Sequence, residues 1–240
     1  LVKMACGTPT ADVHFLIGGT QTNTTIISSV LRPYQGGLSA DTGHINGHET
    51  GAIEATGHKV LVLPNQDGTI TGDQVRQYCR NHWADSTHEH LVQPGMVYIS
   101  FPTESGTLYS KAQLMDLYAA CQESELPLMI DGARLGYGLM SPACDLTLSE
   151  LANLCDVFYI GGTKCGALFG EAVVIRNEAL KRDFRYSIKR HGGMLAKGRL
   201  LGIQFETLFE DGLYFEICKQ AVDYALEIRA AFEARGIPMV

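Results

Sequence analysis

Three short polar segments carry the residue types that could do chemistry in this sequence. They are Gly-Gly-Thr-Gln at 18–21, Asp-Gly-Ala-Arg at 131–134 and Gly-Gly-Thr-Lys at 161–164. Each follows an apolar run that is typical of a buried strand. Ligands of open α/β sheets bind beyond the carboxyl ends of the strands, so we expect the three segments to meet at one site.

The lysine of the third segment, Lys164, is the candidate nucleophile. An amine held directly after a buried strand is partly desolvated, which lowers its pKa and suits Schiff-base chemistry. A solvated loop lysine is the alternative interpretation for any single lysine. Asp131 argues against that alternative, because it also lies at a predicted strand end, 164 − 131 = 33 residues earlier.

Asp131 and Arg134 carry opposite charges close together in the second segment. A buried carboxylate needs a cationic or hydrogen-bonding partner. The protonated pyridine nitrogen of pyridoxal 5′-phosphate (PLP) is one such partner. Arg134 could hold a substrate carboxylate with its planar guanidinium. A structural Asp131–Arg134 pair explains the same residues equally well, so both interpretations stay open at this point.

The first segment, at 18–21, predicts an anion site. It leads into a predicted helix, whose free N–H groups and dipole favour a phosphate. Gly19 lets the backbone approach a ligand closely, and Thr20 adds a hydroxyl. A plain strand-to-helix turn is the alternative. The segment is not the G-x-G-x-x-G fingerprint, so a nicotinamide-dependent oxidoreductase is not favoured.

The elements that must position these segments are alternating strands and helices. Strands are predicted at 13–17, 58–63, 96–101, 126–130, 157–160 and 172–175, and helices at 21–31, 52–55, 71–82, 111–124, 148–154 and 217–235. This alternation predicts an α/β fold of three layers, α/β/α, with a mostly parallel sheet covered on both faces.

The composition excludes several classes of function. Of the 240 residues, 45% are hydrophobic and 19% charged, as in a globular protein with a buried core. A net charge of −7 gives no support for a nucleic-acid or membrane-surface role. No apolar run approaches the roughly 20 residues that span a bilayer. Seven cysteines without a C-x-x-C pair predict reduced thiols, mostly in the core, and a cytoplasmic protein.

Taken in order, these segments resemble the threonine aldolase and β-eliminating lyase family, PLP enzymes of the aspartate-aminotransferase-like fold (fold type I). The resemblance rests on Phe-Leu-Ile-Gly-Gly-Thr-Gln-Thr-Asn at 15–23, His-Ile-Asn-Gly-His-Glu at 44–49, Ile-Asp-Gly-Ala-Arg at 130–134 and Gly-Thr-Lys at 162–164. It implies a lyase that cleaves a β-hydroxy-α-amino acid, such as L-threonine, to glycine and an aldehyde. A β-eliminating lyase or aminotransferase of the same fold and a non-catalytic relative are the alternatives.

The resemblance also implies a role for each candidate residue. Lys164 would bind PLP as a Schiff base, Asp131 would pair with the pyridine nitrogen, and His44 would stack on the ring. Arg134 would bind the substrate carboxylate. The phosphate would be held by Gly19, Thr20, Gln21 and Thr163. Lys164, His44 and Asp131 are therefore the catalytic candidates, and Glu49 matches a family acid near the site.

Two groups of histidines could suggest metal sites. His44 and His48 are four residues apart with Glu49 beside them, but Gly43 and Gly47 disfavour a rigid helix there. An imidazole face also suits a flat aromatic partner. The histidines at 82, 88 and 90 lie in a polar predicted loop and are interpreted as solvated surface. We predict no metal site.

The sequence departs from the family pattern at 101–106. This segment reads Phe-Pro-Thr-Glu-Ser-Gly, where threonine aldolases usually carry Asn-Thr-His. A histidine that could assist the β-hydroxyl chemistry is therefore missing. In the glycine-rich stretch at 192–199, Lys197 or Arg199 could reach a phosphate, also in a partner subunit, or simply begin a helix.

The two ends predict a fragment of a longer protein. Leu1 is not an initiator methionine, residues 1–6 are typical of a helix tail, and residues 236–240 are typical of a strand start. We predict a PLP-binding large domain at 1–215 with a truncated N-terminus. A connecting helix and the start of a missing small domain would follow at 216–240. The resemblance implies a homodimer or homotetramer.

Overall fold

A seven-stranded sheet forms the centre of the computed structural model, which describes residues 1–237. The strands are β1 Asp12–Leu16, β2 Gln35–Ala40, β3 Val60–Leu63, β4 Gln93–Ser100, β5 Leu128–Asp131, β6 Val157–Gly161 and β7 Glu171–Ile175. Their order is β1-β7-β6-β5-β4-β2-β3. β7 is antiparallel to both of its neighbours, and the other pairs are parallel.

Helices cover both faces of this sheet. They are α1 Val2–Ala5, α2 Gly19–Val30, α3 His44–Gly47, α4 Gly72–Ala84, α5 Lys111–Glu123, α6 Leu135–Met140, α7 Leu148–Asn153, α8 Glu178–Lys181, α9 Phe184–Arg190, α10 Arg199–Phe209 and α11 Leu213–Glu233. Helices α4, α5 and α7 begin with capping boxes at Thr71, Ser110 and Thr147. In each, the hydroxyl accepts from the backbone N–H three residues later, which fixes where the helix starts.

Two hydrophobic cores lie on opposite faces of the sheet. Successive residues of a strand point to opposite faces, so Val97 and Ile99 enter one core while Met96 and Tyr98 enter the other. The first core is completed by α4, α5, α7, α10 and α11, and the second by α2 and α9. The predicted three-layer α/β/α fold with a mostly parallel sheet is confirmed.

The sequence did not predict β2, and its prediction of a helix at 52–55 is wrong. Glycines have low strand propensity, so the Gly36–Gly37 pair gave no strand signal in the sequence. In the structure β2 lies between β3 and β4. A methyl group at Gly36 would lie 2.5 Å from the carbonyl oxygen of Lys59. The predicted helix is a 3₁₀ turn at Glu54–Thr56, which ends where Gly57 adopts φ +93°.

The ends of the chain partly match the sequence predictions. Residues at the N-terminus form the expected helix, α1. The last helix begins at Leu213, so the predicted domain boundary at 215/216 lies inside α11. The division into domains stays a prediction. The predicted strand start at 236–240 reaches into residues 238–240, which lie outside the described part of the chain.

All seven cysteines are free, and six of them are buried as small core residues, as predicted. Within residues 1–237, no helix has both the length and the apolar character needed to cross a membrane.

Candidate active site

Two glycines bring the ends of β5 and β6 together. The N–H of Gly161 donates to the carbonyl oxygen of Gly132 at 2.9 Å. A methyl group at Gly132 would lie 1.9 Å from the carbonyl oxygen of Tyr159, so no larger residue fits there. This close backbone contact places the segments that carry Asp131 and Lys164 side by side, as the sequence predicted.

A cavity of about 210 Å³ opens at this edge of the sheet. Its lining includes all but one of the predicted site residues: Gly19, Thr20, His44, Asp131, Arg134, Thr163 and Lys164. Gln21 is the exception, because its side chain accepts from the N–H of Ile17 and donates to the carbonyl oxygen of His191. Any contribution of Gln21 to the cavity therefore comes from its backbone.

Four buried side chains, Asn23, Glu49, Tyr98 and Asp131, form a hydrogen-bonded group that we term the cavity floor, and two of them, Glu49 and Asp131, line the cavity. Asp131 Oδ2 accepts from Asn23 Nδ2 at 3.0 Å and from the Tyr98 hydroxyl at 2.6 Å. Its Oδ1 accepts from the N–H of Ala133 at 3.0 Å. Burial, followed by the neighbouring Asp131 carboxylate, raises the pKa of Tyr98 well above its usual value, so the phenol stays a donor.

Glu49 and Asn23 connect His44 to this floor. Glu49 Oε1 accepts from Asn23 Nδ2 at 2.7 Å and lies 2.9 Å from His44 Nδ1. The hydrogen bond to Glu49 raises the pKa of His44, and partial burial opposes it. The Glu49 side chain is 1% exposed, and its Oε2 has no hydrogen-bond partner in the described chain. Asn23 thus joins two carboxylates, a role that its place in the sequence motif did not reveal.

The N-terminus of α2 supplies unpaired backbone donors. The first intrahelical bond runs from the N–H of Thr22 to the carbonyl oxygen of Gly18 at 3.0 Å. The N–H groups of Gly19, Thr20 and Gln21 therefore have no partner within the helix. Together with the helix dipole they favour an anion at this end of the cavity.

Four exposed polar side chains that line the cavity, Thr20, Arg134, Thr163 and Lys164, form what we term the cavity rim. The Lys164 carbonyl oxygen accepts from the Tyr137 hydroxyl, which fixes the backbone while the side chain stays exposed. The predicted partial desolvation of Lys164 is therefore wrong for this structure. Arg134 is not among the partners of Asp131, so the alternative of a structural pair is also wrong.

Two further carboxylates line the cavity and were not predicted as site residues. Glu171 is buried in β7 and accepts from the N–H of Gly162 at 2.9 Å. Burial raises the pKa of Glu171 to about 7. Glu104 Oε1 accepts from the His44 N–H at 2.9 Å and from the Ser100 hydroxyl at 2.5 Å. A single acid in an apolar strand or a loop gives no recognisable pattern in a sequence.

The arrangement combines an anion site, a buried carboxylate, an exposed amine and an exposed guanidinium in one cavity. The family model for the beta-eliminating lyases matches residues 2–232. The chain belongs to the beta-eliminating lyase family. The sequence resemblance is thereby confirmed at the level of the family.

Two curated relatives show how far the similarity extends. The chain is 32% identical over 207 residues to a low specificity L-threonine aldolase from a Pseudomonas species, covering 85% of this chain and 58% of that protein. It is 29% identical to the Pseudomonas aeruginosa protein of that description, covering 88% and 60%. The chain thus spans about three fifths of these relatives' length.

Solved structures agree with this family assignment. The Leishmania major threonine aldolase structure superimposes with a TM-score of 0.93 at 48% identity, covering 98% of this chain and 68% of that one. Thermus thermophilus aspartate aminotransferase has a TM-score of 0.70 at 14% identity, covering 93% and 57%, which shows the fold alone. The predicted aspartate-aminotransferase-like fold is confirmed.

The remaining candidate residues lie outside the cavity. Arg199 lines a groove between α1 and α10, and Lys197 is exposed. His82 is buried against Trp83, with ring centroids 4.9 Å apart, so the solvated interpretation of His82 is wrong. Burial lowers the pKa of His82. Within residues 1–237, no three His, Cys, Asp or Glu side chains are grouped as metal ligands.

Proposed function

We propose that this family member is a PLP-dependent lyase that cleaves β-hydroxy-α-amino acids, converting L-threonine to glycine and acetaldehyde. One observation carries the proposal. Lys164, Asp131 and the N-terminus of α2 line a single cavity. The 48% identity to the Leishmania threonine aldolase supports the choice of reaction.

The residues of the cavity fit the three polar parts of PLP. The unpaired N–H groups of α2 and the Thr20 hydroxyl suit its phosphate. Thr163 adds a second hydroxyl, whose oxygen accepts from the N–H of Gly170. Asp131 suits a protonated pyridine nitrogen, and the Lys164 amine suits the aldehyde carbon.

Each residue then has a defined task in the proposed reaction. When bound, PLP supplies an electron sink for the pair that is left when Cα–Cβ breaks. Lys164 would hold the cofactor through its side-chain amine. Asp131, positioned by its three donors, would favour a proton on the ring nitrogen. Arg134 binds the substrate carboxylate through its planar guanidinium, and His44 covers the ring face.

The visible spectrum of the purified full-length protein tests the cofactor. We expect wild-type protein supplied with PLP to show a yellow absorbance band that Lys164→Ala loses. Wild-type protein that takes up no PLP and stays colourless would contradict the proposal.

The products distinguish aldol cleavage from elimination, the second candidate, which the family's description favours. Glycine with an aldehyde indicates aldol cleavage. Ammonia with a keto acid indicates elimination, and would replace the threonine assignment while leaving the cofactor proposal intact. Amino-group transfer to a keto acid would indicate an aminotransferase.

We also propose that the protein forms a homodimer or homotetramer and is cytoplasmic. The resemblance to the threonine aldolase family supports a homodimer or homotetramer, which light scattering of the eluting full-length protein would measure. Seven free cysteines support a cytoplasmic protein, because reduced thiols persist in that compartment.

A further inference from the structure

The proposed reaction needs a base for the β-hydroxyl proton, and several cavity groups are poor candidates. Asp131 uses both oxygens as acceptors within the floor. Glu49 has a side chain only 1% exposed. Burial raises the pKa of Glu171 to about 7, so much of it is protonated at neutral pH. The raised pKa of His44 likewise leaves less of the neutral imidazole that a base requires.

Glu104 differs from these groups in its free oxygen and its position. Within residues 1–237, both of its side-chain hydrogen bonds end on Oε1, from the His44 N–H and the Ser100 hydroxyl. These bonds fix the carboxylate at the cavity wall and leave Oε2 for a ligand. Glu104 is half-buried, so a bound ligand would exclude water from it.

Glu104 and Arg134 also share a second cavity. This space of about 350 Å³ is also lined by apolar side chains such as Leu108 and Val222. Glu104 and Arg134 line both cavities, so a substrate whose carboxylate is bound by Arg134 would lie in space that Glu104 also lines. The apolar space beyond suits the group attached to the β-carbon.

We propose that Glu104 is the general base that removes the β-hydroxyl proton of the substrate. This inference rests on the proposed aldol cleavage. The proton moves from the hydroxyl oxygen to Glu104 Oε2, and the O–H electron pair becomes the second bond of the aldehyde carbonyl. The Cα–Cβ pair stays with the glycine half of the substrate, and the proton on Glu104 returns to water or to glycine.

Glu104→Gln in the full-length, PLP-loaded protein tests this role. The amide keeps an oxygen for His44 and Ser100 but cannot accept a proton. Because a general base contributes roughly 10²–10⁴-fold, we expect kcat/KM for L-threonine to fall by at least about 100-fold. PLP content and the absorbance band should match the wild type. Glu54→Gln, the same change at an exposed site outside the cavity, serves as the control.

Glycine provides the decisive second measurement, because it has no β-hydroxyl. Exchange of its α-protons in D₂O, followed by NMR, should stay within about threefold of wild type in Glu104→Gln. Added formate should restore threonine cleavage to Glu104→Ala in proportion to its concentration.

Three outcomes would overturn the assignment. Threonine cleavage that survives in Glu104→Gln removes the base role. Equal loss of threonine cleavage and glycine exchange indicates a structural role instead. Wild-type protein that exchanges glycine protons but releases no aldehyde contradicts the proposed function itself, and is recognised before any variant is compared.

Discussion

The floor and the rim of the cavity differ in burial and in hydrogen bonding. The floor residues are buried and hydrogen-bonded to one another, and Asn23 bridges the carboxylates of Glu49 and Asp131. The rim residues are exposed. The Lys164 backbone carbonyl accepts a hydrogen bond from Tyr137, whereas the Lys164 side chain is exposed. The floor therefore positions and tunes groups, whereas the rim leaves groups available to react.

This contrast separates stability from chemistry. A change in the floor disturbs a buried network, where an unpaired polar group costs free energy even without a ligand. A change in the rim removes a reactive group but few contacts of the folded chain. Substitutions in the floor, in the rim and at the buried cavity residue Glu171, with one control, test the contrast from the largest expected effect to the smallest.

Asp131→Asn should have the largest effect. The amide has one acceptor oxygen where the carboxylate has two, so its NH₂ group would face at least one of the three donors to Asp131. The charge proposed to pair with the ring nitrogen would also be lost. Losing one partner of a buried charged pair costs about 3–5 kcal/mol, which corresponds to roughly 100-fold or greater loss of PLP affinity. Titration of the visible band with PLP measures the change.

Asp156→Asn is the matched control for that prediction. Asp156 is also buried, and it accepts from the N–H of Leu128 at the opposite end of β5 from the cavity. We expect a loss of stability with unchanged PLP affinity. Equal loss of affinity in both variants would mean that general loosening of the sheet, rather than the floor, sets cofactor binding.

Glu171→Gln should change how stability depends on pH. The pKa of Glu171 rises from its usual 4.5 to about 7 because of burial, so the folded state holds this proton more tightly than the unfolded state. The free energy of unfolding of the wild type therefore falls as pH rises from 4.5 through 7, by about 3 kcal/mol from this group. The variant lacks this loss.

Urea unfolding at pH 5 and pH 8 tests the predicted direction of this change in the free energy of unfolding. The variant should be the more stable protein at pH 8, with the gap almost closed at pH 5. A gap that is equal at both pH values would show that Glu171 does not titrate in this range.

Glu49→Gln should change stability less, and mainly through the pKa of His44. The hydrogen bond to Glu49 is the main cause of the raised pKa of His44, so the variant should lower it. Because the raised pKa stabilises the folded state below about 6.5 and the contribution is lost as pH rises, the variant should lose more stability at pH 6 than at pH 8. NMR titration of the His44 ring protons measures the pKa directly, and an unchanged value would remove His44 from the floor network.

Lys164→Ala should have the smallest effect on folding. The side chain is exposed, so the free energy of unfolding without PLP should change by no more than about 0.5 kcal/mol. The same variant should lose the absorbance band of bound PLP. A large loss of stability would mean that the rim residue Lys164 also stabilises the fold. The proposed difference between floor and rim would then be wrong.

The sequence predicted the edge of the sheet at which the cavity lies better than it predicted the side chains that line it. Asp131 and Lys164 stand out because polar residues and glycines follow apolar runs, and strand ends of a parallel sheet meet at one edge. Glu104 and Glu171 give no such signal. The Glu104 contact with the His44 N–H spans 60 residues of sequence, and only the folded sheet brings the two together.

Gln21 and β2 show two other limits. Successive helical side chains are turned by roughly 100°, so a residue beside Thr20 in the sequence points elsewhere, and Gln21 bonds to His191 instead. The glycines of β2 have low intrinsic strand propensity, yet the close packing beside Lys59 requires them. In both cases tertiary packing, which no local pattern reports, decides the outcome.

Helix α2 fixes the spacing between the anion site and Asp131. Its first turn presents the unpaired N–H groups, and Asn23, four residues after Gly19, bonds directly to Asp131. Four residues of helix rise about 6 Å, a length that changes in the surrounding loops do not alter. The distance between anion site and carboxylate is therefore set by one rigid element, which selects ligands by the span between their negative and positive ends.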